Sequence, residues 1–278
     1  MKVCRAALVL VALAGCKEKK APPMGVADRM QIACDGGELE ACRSLGVVYA
    51  ESKNDAAKAR PLFERACTGG NAKACNNLGL LFATASGTTA AEPARAAELY
   101  EKSCDLGEPL GCRNLGLMLQ GERGVPADPG KALALFERAC EKGASFACTN
   151  AGVLHDEGRG VAASPEAARD WFLRGCDRGD PAGCRHVGAL YIEGRGVPKG
   201  LPAASVWLER ACAGADPIGC RLLGVMLLEG AGVAASETRA RDLLGRACKA
   251  KDRPACEKMV ERGWAVRASD ALEKDAAP

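Results

Sequence analysis

Fourteen of the sixteen cysteines in this 278-residue chain fall into seven pairs, each pair eight positions apart. Cys34 pairs in this way with Cys42, Cys67 with Cys75, Cys104 with Cys112, Cys140 with Cys148, Cys176 with Cys184, Cys212 with Cys220 and Cys248 with Cys256. The first members follow one another at steps of 33, 37, 36, 36, 36 and 36 residues, a period that marks helical solenoids. Such a unit cannot bury its apolar face alone, so neighbouring units must stack.

The stretch before each first cysteine is alanine-rich, with apolar residues five and four positions upstream: Leu62 and Phe63, Leu99 and Tyr100, Leu135 and Phe136, Trp171 and Phe172, Trp207 and Leu208, Leu243 and Leu244. On a helix-forming background this predicts a buried helical face. A stop follows, clearest in Cys176-Asp177-Arg178-Gly179-Asp180-Pro181. There Gly179 suits the left-handed cap, Asp180 the N-cap and Pro181 the first helical position, which puts the second cysteine in the first turn of the next helix.

Three and four positions beyond the second cysteine come Leu45-Gly46, Leu78-Gly79, Leu115-Gly116, Ala151-Gly152, Val187-Gly188 and Leu223-Gly224. A glycine inside a helix costs about 1 kcal/mol against alanine, so six in register predict close helix-to-helix approach. That helix runs out in Glu157-Gly158-Arg159-Gly160-Val161, repeated at 193–197 and 229–233 and altered at 121–125. The glycines suit a left-handed turn and the valine can plug the core. The G-x-G lacks a third glycine and a preceding strand, which argues against a phosphate loop.

Composition narrows the partners. With 48% hydrophobic but only 4% aromatic residues, the core must be built mainly from Ala, Leu and Val. The charge, 38 basic against 35 acidic residues, or +3, gives no reason to expect nucleic acid. On one continuous helix the paired cysteines would stand about 12 Å apart by rise alone, beyond the roughly 7 Å reach of a disulfide. With the chain reversed between them they face each other across a hairpin, each bridge worth roughly 2.5 kcal/mol in the chain-entropy model. Zinc is the rival reading, although thiolate sites favour gaps of two to four residues. No metal or other cofactor is expected.

The N-terminus sets the compartment. Lys2 and Arg5 precede the apolar run Ala6 to Leu13, the order of a secretory signal, and at about ten apolar residues the run is too short to span a bilayer. It closes on Leu13-Ala14-Gly15-Cys16, which resembles a bacterial lipobox; the resemblance implies lipidation of Cys16 after cleavage. A plain signal peptide ending at Ala14 or Gly15 is the alternative. Expected boundaries are a signal at 1–15, a lipidated cysteine and polar tether at 16–27, the solenoid at 28–262 and a C-terminal cap or tail at 263–278. Lys17 after the cysteine resembles enteric lipoproteins sorted to the outer membrane. The expected setting is therefore the cell envelope, with a membrane partner through the anchor.

Two segments, Ala132 to Val161 and Ala182 to Val197 (AGCRHVGALYIEGRGV), resemble Sel-one-like repeats, relatives of tetratricopeptide repeats, in their cysteine-rich secreted branch known from Helicobacter. The resemblance covers about residues 28 to 262 and implies an all-α, α/α solenoid of about seven hairpins, one disulfide in each. The chain departs from it at Glu51 to Asp55, where the loop is short, and at Thr84 to Pro93, which replaces the EGRGV loop.

A concave groove is the usual ligand surface of such folds. Two positions before six of the seven first cysteines stands a basic residue: Arg65, Lys102, Arg138, Arg174, Arg210 and Arg246. Arg43, Arg113, Arg185 and Arg221 directly follow second cysteines. The sharper expectation is a cationic ladder gripping an acidic peptide or a carboxylate-bearing glycan, and the expected partner is an unidentified protein or a peptidoglycan-related ligand. The plainer one is that these cations pair with nearby acids such as Glu64, Glu101, Glu137 and Glu209. The family resemblance also implies a second function, slow β-lactam hydrolysis. No serine in the chain opens a Ser-x-x-Lys motif, however, and His155 and His186, in different repeats, read as packing residues. The expected function is a monomeric binding or adaptor solenoid in the envelope.

Overall fold

A computed structural model describes residues 25–52, 55–84, 91–121 and 124–264. The described residues form fourteen α-helices and no strand. In chain order these are α1 Val26–Asp35, α2 Leu39–Val47, α3 Ala56–Thr68, α4 Ala72–Ala83, α5 Pro93–Asp105, α6 Pro109–Leu119 and α7 Pro129–Glu141. They continue as α8 Ser145–Glu157, α9 Pro165–Asp177, α10 Pro181–Glu193, α11 Leu201–Ala213, α12 Pro217–Glu229, α13 Glu237–Lys249 and α14 Arg253–Glu261. The lipobox with Cys16 and the tail from 265 onward lie outside the described residues.

The local signals act as expected at the hairpin turn. Arg178 is the C-cap of α9, Gly179 takes a φ of 90°, and the Asp180 carboxylate accepts the Ala182 N–H at 3.1 Å with Pro181 at the first helical position. The reversal brings the two cysteines of every hairpin to Cα–Cα distances between 4.5 and 4.8 Å, within disulfide reach. All seven pairs are bridged. Cys34 is bonded to Cys42, Cys67 to Cys75, Cys104 to Cys112 and Cys140 to Cys148. Cys176 is bonded to Cys184, Cys212 to Cys220 and Cys248 to Cys256. The second cysteines Cys75, Cys112, Cys220 and Cys256 each lie in the first turn of an inner helix, where the turn signals put them, and the thiols are spent on sulfur rather than on zinc. The short loop at Glu51 has a structural counterpart: α2 runs on into a π-helical turn over Val48–Ser52.

The glycine register is a row of notches. The apolar residue four before each first cysteine seats against the glycine of the preceding helix. A Cβ on Gly46 would lie 2.5 Å from the Phe63 ring, on Gly152 2.6 Å from Phe172, and on Gly188 2.9 Å from Leu208. Tyr100 and Phe136 sit likewise on Gly79 and Gly116, and Leu244 on Gly224. These knobs are the buried centre of the molecule; burial pushes the Tyr100 hydroxyl up to about 12. The apolar residue five before the cysteine is half-buried in four repeats, since helical geometry turns it toward the edge. At the seventh notch position, in α14, stands Val260, 65% exposed.

The loop glycines have a second task beyond the turn. Gly196 has a φ of 63°, and a Cβ there would lie 2.6 Å from the Pro165 carbonyl at the start of α9. Each such loop therefore lies on the first turn of the preceding hairpin's helix, while Val125, Val161, Val197 and Val233 pack on the core.

Candidate functional site

Two rows of helices run along the solenoid. Successive even-numbered helices touch one another, α2 with α4, α4 with α6, α8 with α10 and α10 with α12, and the odd-numbered ones make no comparable contact among the described residues. The even row is therefore the inside of the curve.

At 100° per residue, the face of an even helix turned away from both the disulfide and the notch carries the residues two before and five after the second cysteine. The latter are Val47, Leu80, Leu117, Val153, Ala189 and Val225, apolar in the first six hairpins, with Glu261 in the seventh. The former include Leu110, Phe146, Ala182 and Ile218. Val47, Leu117 and Val153 are half-buried with one side on the core, whereas Leu80 is 44%, Leu110 46% and Phe146 52% exposed. An apolar stripe thus follows the inner face from the first hairpin to the sixth.

Polar residues flank the stripe and bind repeat to repeat. Asn114 Nδ2 donates to Asn76 Oδ1 at 2.8 Å. Arg185 Nε donates to Asp216 Oδ2 at 3.3 Å, Arg221 pairs with Asp252, and the Thr149 hydroxyl donates to Asp180. Each of these aspartates is the N-cap of the next inner helix, so one carboxylate both starts a helix and receives its neighbour. Arg43 stays local, on Glu40, and Arg113 lies over the Phe146 ring.

The six ladder residues lie on the odd, outer row. Four reach back to the hairpin before: Arg138 to Asp105 and Arg210 to Asp177, each at 3.0 Å, Arg65 to the Asp35 carbonyl at 3.3 Å, and Arg246 to the Cys212 carbonyl at 2.9 Å. Arg174 lies over the Trp171 ring, and neither it nor Lys102 makes an ion pair among the described residues. The acids expected as their partners are engaged elsewhere: Glu101 with Lys131, Glu209 with Arg239, Glu64 with Arg60 and Glu137 with His155. The reason is geometric. Each of these glutamates immediately precedes its ladder cation in the chain, and adjacent residues on a helix do not face each other.

The histidines are packing residues in separate repeats. His186 stacks on the Phe172 ring at 4.5 Å, and burial, with the Arg185 guanidinium beside it, lowers its pKa to about 4. His155 stacks toward Trp171 and meets Glu137 at 3.4 Å. Among the described residues no three His, Cys, Asp or Glu side chains are grouped to hold a metal ion, and no helix is long and apolar enough to cross a membrane.

The family model for the Sel1 repeat matches six consecutive stretches, residues 39–71, 72–108, 109–143, 145–180, 181–216 and 217–252. The chain belongs to the Sel1 repeat family. Each Sel1 unit so delimited is one inner helix followed by one outer helix, and the disulfides join successive units. Among solved structures, the chain is similar to c5321, a protective antigen of uropathogenic Escherichia coli with this fold, at 26% identity and a TM-score of 0.74 over 86% of this chain and 52% of that one. It spans about half the length of that antigen. A Sel1 repeat protein from Oxalobacter formigenes superposes with a TM-score of 0.69 at 20% identity, over 80% and 96% of the two chains. Cysteine-rich protein B of Helicobacter pylori matches at 25% identity and a TM-score of 0.40, over 49% of this chain and all of that one. No curated protein matches the sequence significantly. Seven disulfides in a Sel1 solenoid mark a protein that is exported and matures in an oxidising compartment.

Proposed function

We propose that this Sel1 protein is an adaptor of the cell envelope that holds a segment of a partner protein along its inner face. The observation that carries the reading is the apolar stripe of Val47, Leu80, Leu117, Val153, Ala189 and Val225. Six apolar residues in register line the inside of a curved array, Leu80 exposed and the others half-buried, with Leu110 and Phe146 exposed beside them, and apolar surface left open in this way is interaction surface. Four of the six outer ladder cations are tied to the preceding hairpin, so that row contributes stiffness more than recognition. Similarity to an E. coli protective antigen fits an exported setting. The anchor is part of the proposal: Leu13-Ala14-Gly15-Cys16 supplies the site of lipidation, and Lys17 to Gly25 the tether.

Cross-linked capture from envelope extracts tests the surface. Val153→Asp with Val225→Asp should lose the captured partner while Arg138→Glu with Arg210→Glu keeps it; the opposite outcome rejects the inner face. Cys16→Ser tests the anchor, and should move the protein from the membrane to the soluble envelope fraction.

A further inference from the structure

The bridge of the fourth hairpin carries a cation on its sulfurs. Arg178 Nη1 lies 2.9 Å from Cys140 Sγ and 3.2 Å from Cys148 Sγ, and donates to the Cys140 carbonyl at 2.8 Å. Arg178 stands two positions after its own hairpin's first cysteine and reaches back over the bridge before. The other hairpins carry Gly36, Gly69, Leu106, Lys142, Gly214 and Ala250 there, of which Lys142 alone is a cation. The Lys142 amine stands over the preceding turn instead, where a Cβ on Gly107 would lie 3.5 Å from it.

The start of α8 adds to the effect. Cys148 lies at the beginning of α8, whose N-cap is Ala144, with no side chain to accept a hydrogen bond. The helices α6, α10, α12 and α14 are capped by the carboxylates of Glu108, Asp180, Asp216 and Asp252. A thiolate at Cys148 would face a guanidinium and a positive helix end without a capping carboxylate, and both features lower a thiol's pKa.

We propose that Cys140–Cys148 is a thiol–disulfide exchange site, the bridge among the seven that a dithiol reduces first at equilibrium. One thiolate of the dithiol bonds to Cys140 Sγ as the Cys140–Cys148 bond breaks, and the electron pair leaves on Cys148 Sγ. The second thiol of the dithiol then closes the reagent's own disulfide and releases Cys140 as a thiolate, which takes up a proton from the dithiol or from water. Two electrons have passed from the dithiol to the bridge. A low pKa of the leaving thiol speeds its departure and stabilises the reduced state. Burial alone gives another order: Cys140 and Cys148 are fully buried, whereas Cys176 and Cys184 are 4% and 5% exposed. Access governs the rate of exchange, and stabilisation of the thiolate governs its equilibrium. The fourth hairpin has three on either side, and each unit contacts only its neighbours, so opening this bridge loosens the array at its middle, where Phe146 and Val153 lie on the inner face.

Equilibration of the oxidised full-length protein with reduced and oxidised dithiothreitol at graded ratios, then acid quench, alkylation and peptide mass mapping, reads each pair separately. Cys140 and Cys148 should be alkylated first, with a reduced-to-oxidised ratio at least about tenfold above that of every other pair in the same buffer, or about 30 mV. Arg178→Ala, checked by intact mass for all seven bridges, should lower that ratio about tenfold, and Arg178→Lys should restore part of it. The sign of the change separates the proposal from a structural role. If Arg178 serves only to tie its turn to the Cys140 carbonyl, its loss loosens the hairpin and makes the bridge easier to reduce. Reduction of another pair first, reduction of all seven together, or a ratio that holds or rises in Arg178→Ala would overturn the proposal.

Discussion

Arg195 grips Asp156 with two guanidinium nitrogens, Nη1 at 2.8 Å from Oδ1 and Nη2 at 3.0 Å from Oδ2. Arg195 lies in the loop that ends α10, and Asp156 in the last turn of α8, so the pair ties the ends of two successive inner helices. Both this bond and a second to Glu193 raise the Arg195 pKa. The Asp156 side chain is 18% exposed, less open to solvent screening than the surface pairs of the outer row.

Asp156→Ala should lower stability by about 1 kcal/mol, and Arg195→Ala by a similar amount. Made together they should cost less than their sum, because each single change removes the same bidentate contact. Urea unfolding of the oxidised proteins measures this; strict additivity would show the pair to be idle.

The notch at Gly152 makes a sharper demand. Gly152→Ala gains about 1 kcal/mol of helix propensity but drives a methyl into the Phe172 ring, and overpacking of this sort costs roughly 1–3 kcal/mol. A net loss of stability is expected, and Phe172→Leu should restore part of it, since Leu208 and Leu244 already serve as smaller knobs in later repeats. A Gly152→Ala protein as stable as the parent would mean that α8 and α9 can separate at no cost.

Acid should weaken the fold through His186. Its pKa in the folded protein is about 4, while in the unfolded chain it titrates near the ordinary 6.5. Because the folded value is depressed, the neutral histidine contributes fully above pH 6.5, and stability is lost as the pH falls from there toward 4, at up to about 1.4 kcal/mol per pH unit. His186→Leu, which copies Leu222 at the same register in the next repeat, should flatten that limb of the stability curve. An identical acid limb in the variant would assign the loss to other groups.

Removing one disulfide should cost roughly 2–3 kcal/mol, and the effect depends on position. Cys34→Ser with Cys42→Ser should fray the first hairpin alone, while Cys140→Ser with Cys148→Ser should split the array, because each unit contacts only its neighbours. Hydrogen exchange resolves the two cases.

The hairpin itself was readable from the chain, because its determinants are close in sequence: Phe172 four before Cys176, Gly179-Asp180-Pro181 at the turn, Gly188 four after Cys184. The inner face was harder to see. Val153 and Val225 lie in two helices whose apolar residues are not confined to one face, so periodicity alone does not separate a groove residue from a core residue. The signal that would have found them is the register: a residue five after the second cysteine is angularly remote from both the bridge and the notch. The partners of the ladder escaped for another reason. Arg138 meets Asp105 and Arg210 meets Asp177 across 33 residues, and no local pattern reports a contact one full repeat away.

Val260 occupies the place where every earlier inner helix has a glycine, and its branched side chain fills the space a following knob would need. Growth of the molecule is thereby made directional. A duplicated unit inserted upstream meets a glycine on one side and a knob on the other, and extends the groove by one step; a unit appended after residue 260 finds its seat taken. One side chain at the end of α14 thus closes the row of seats.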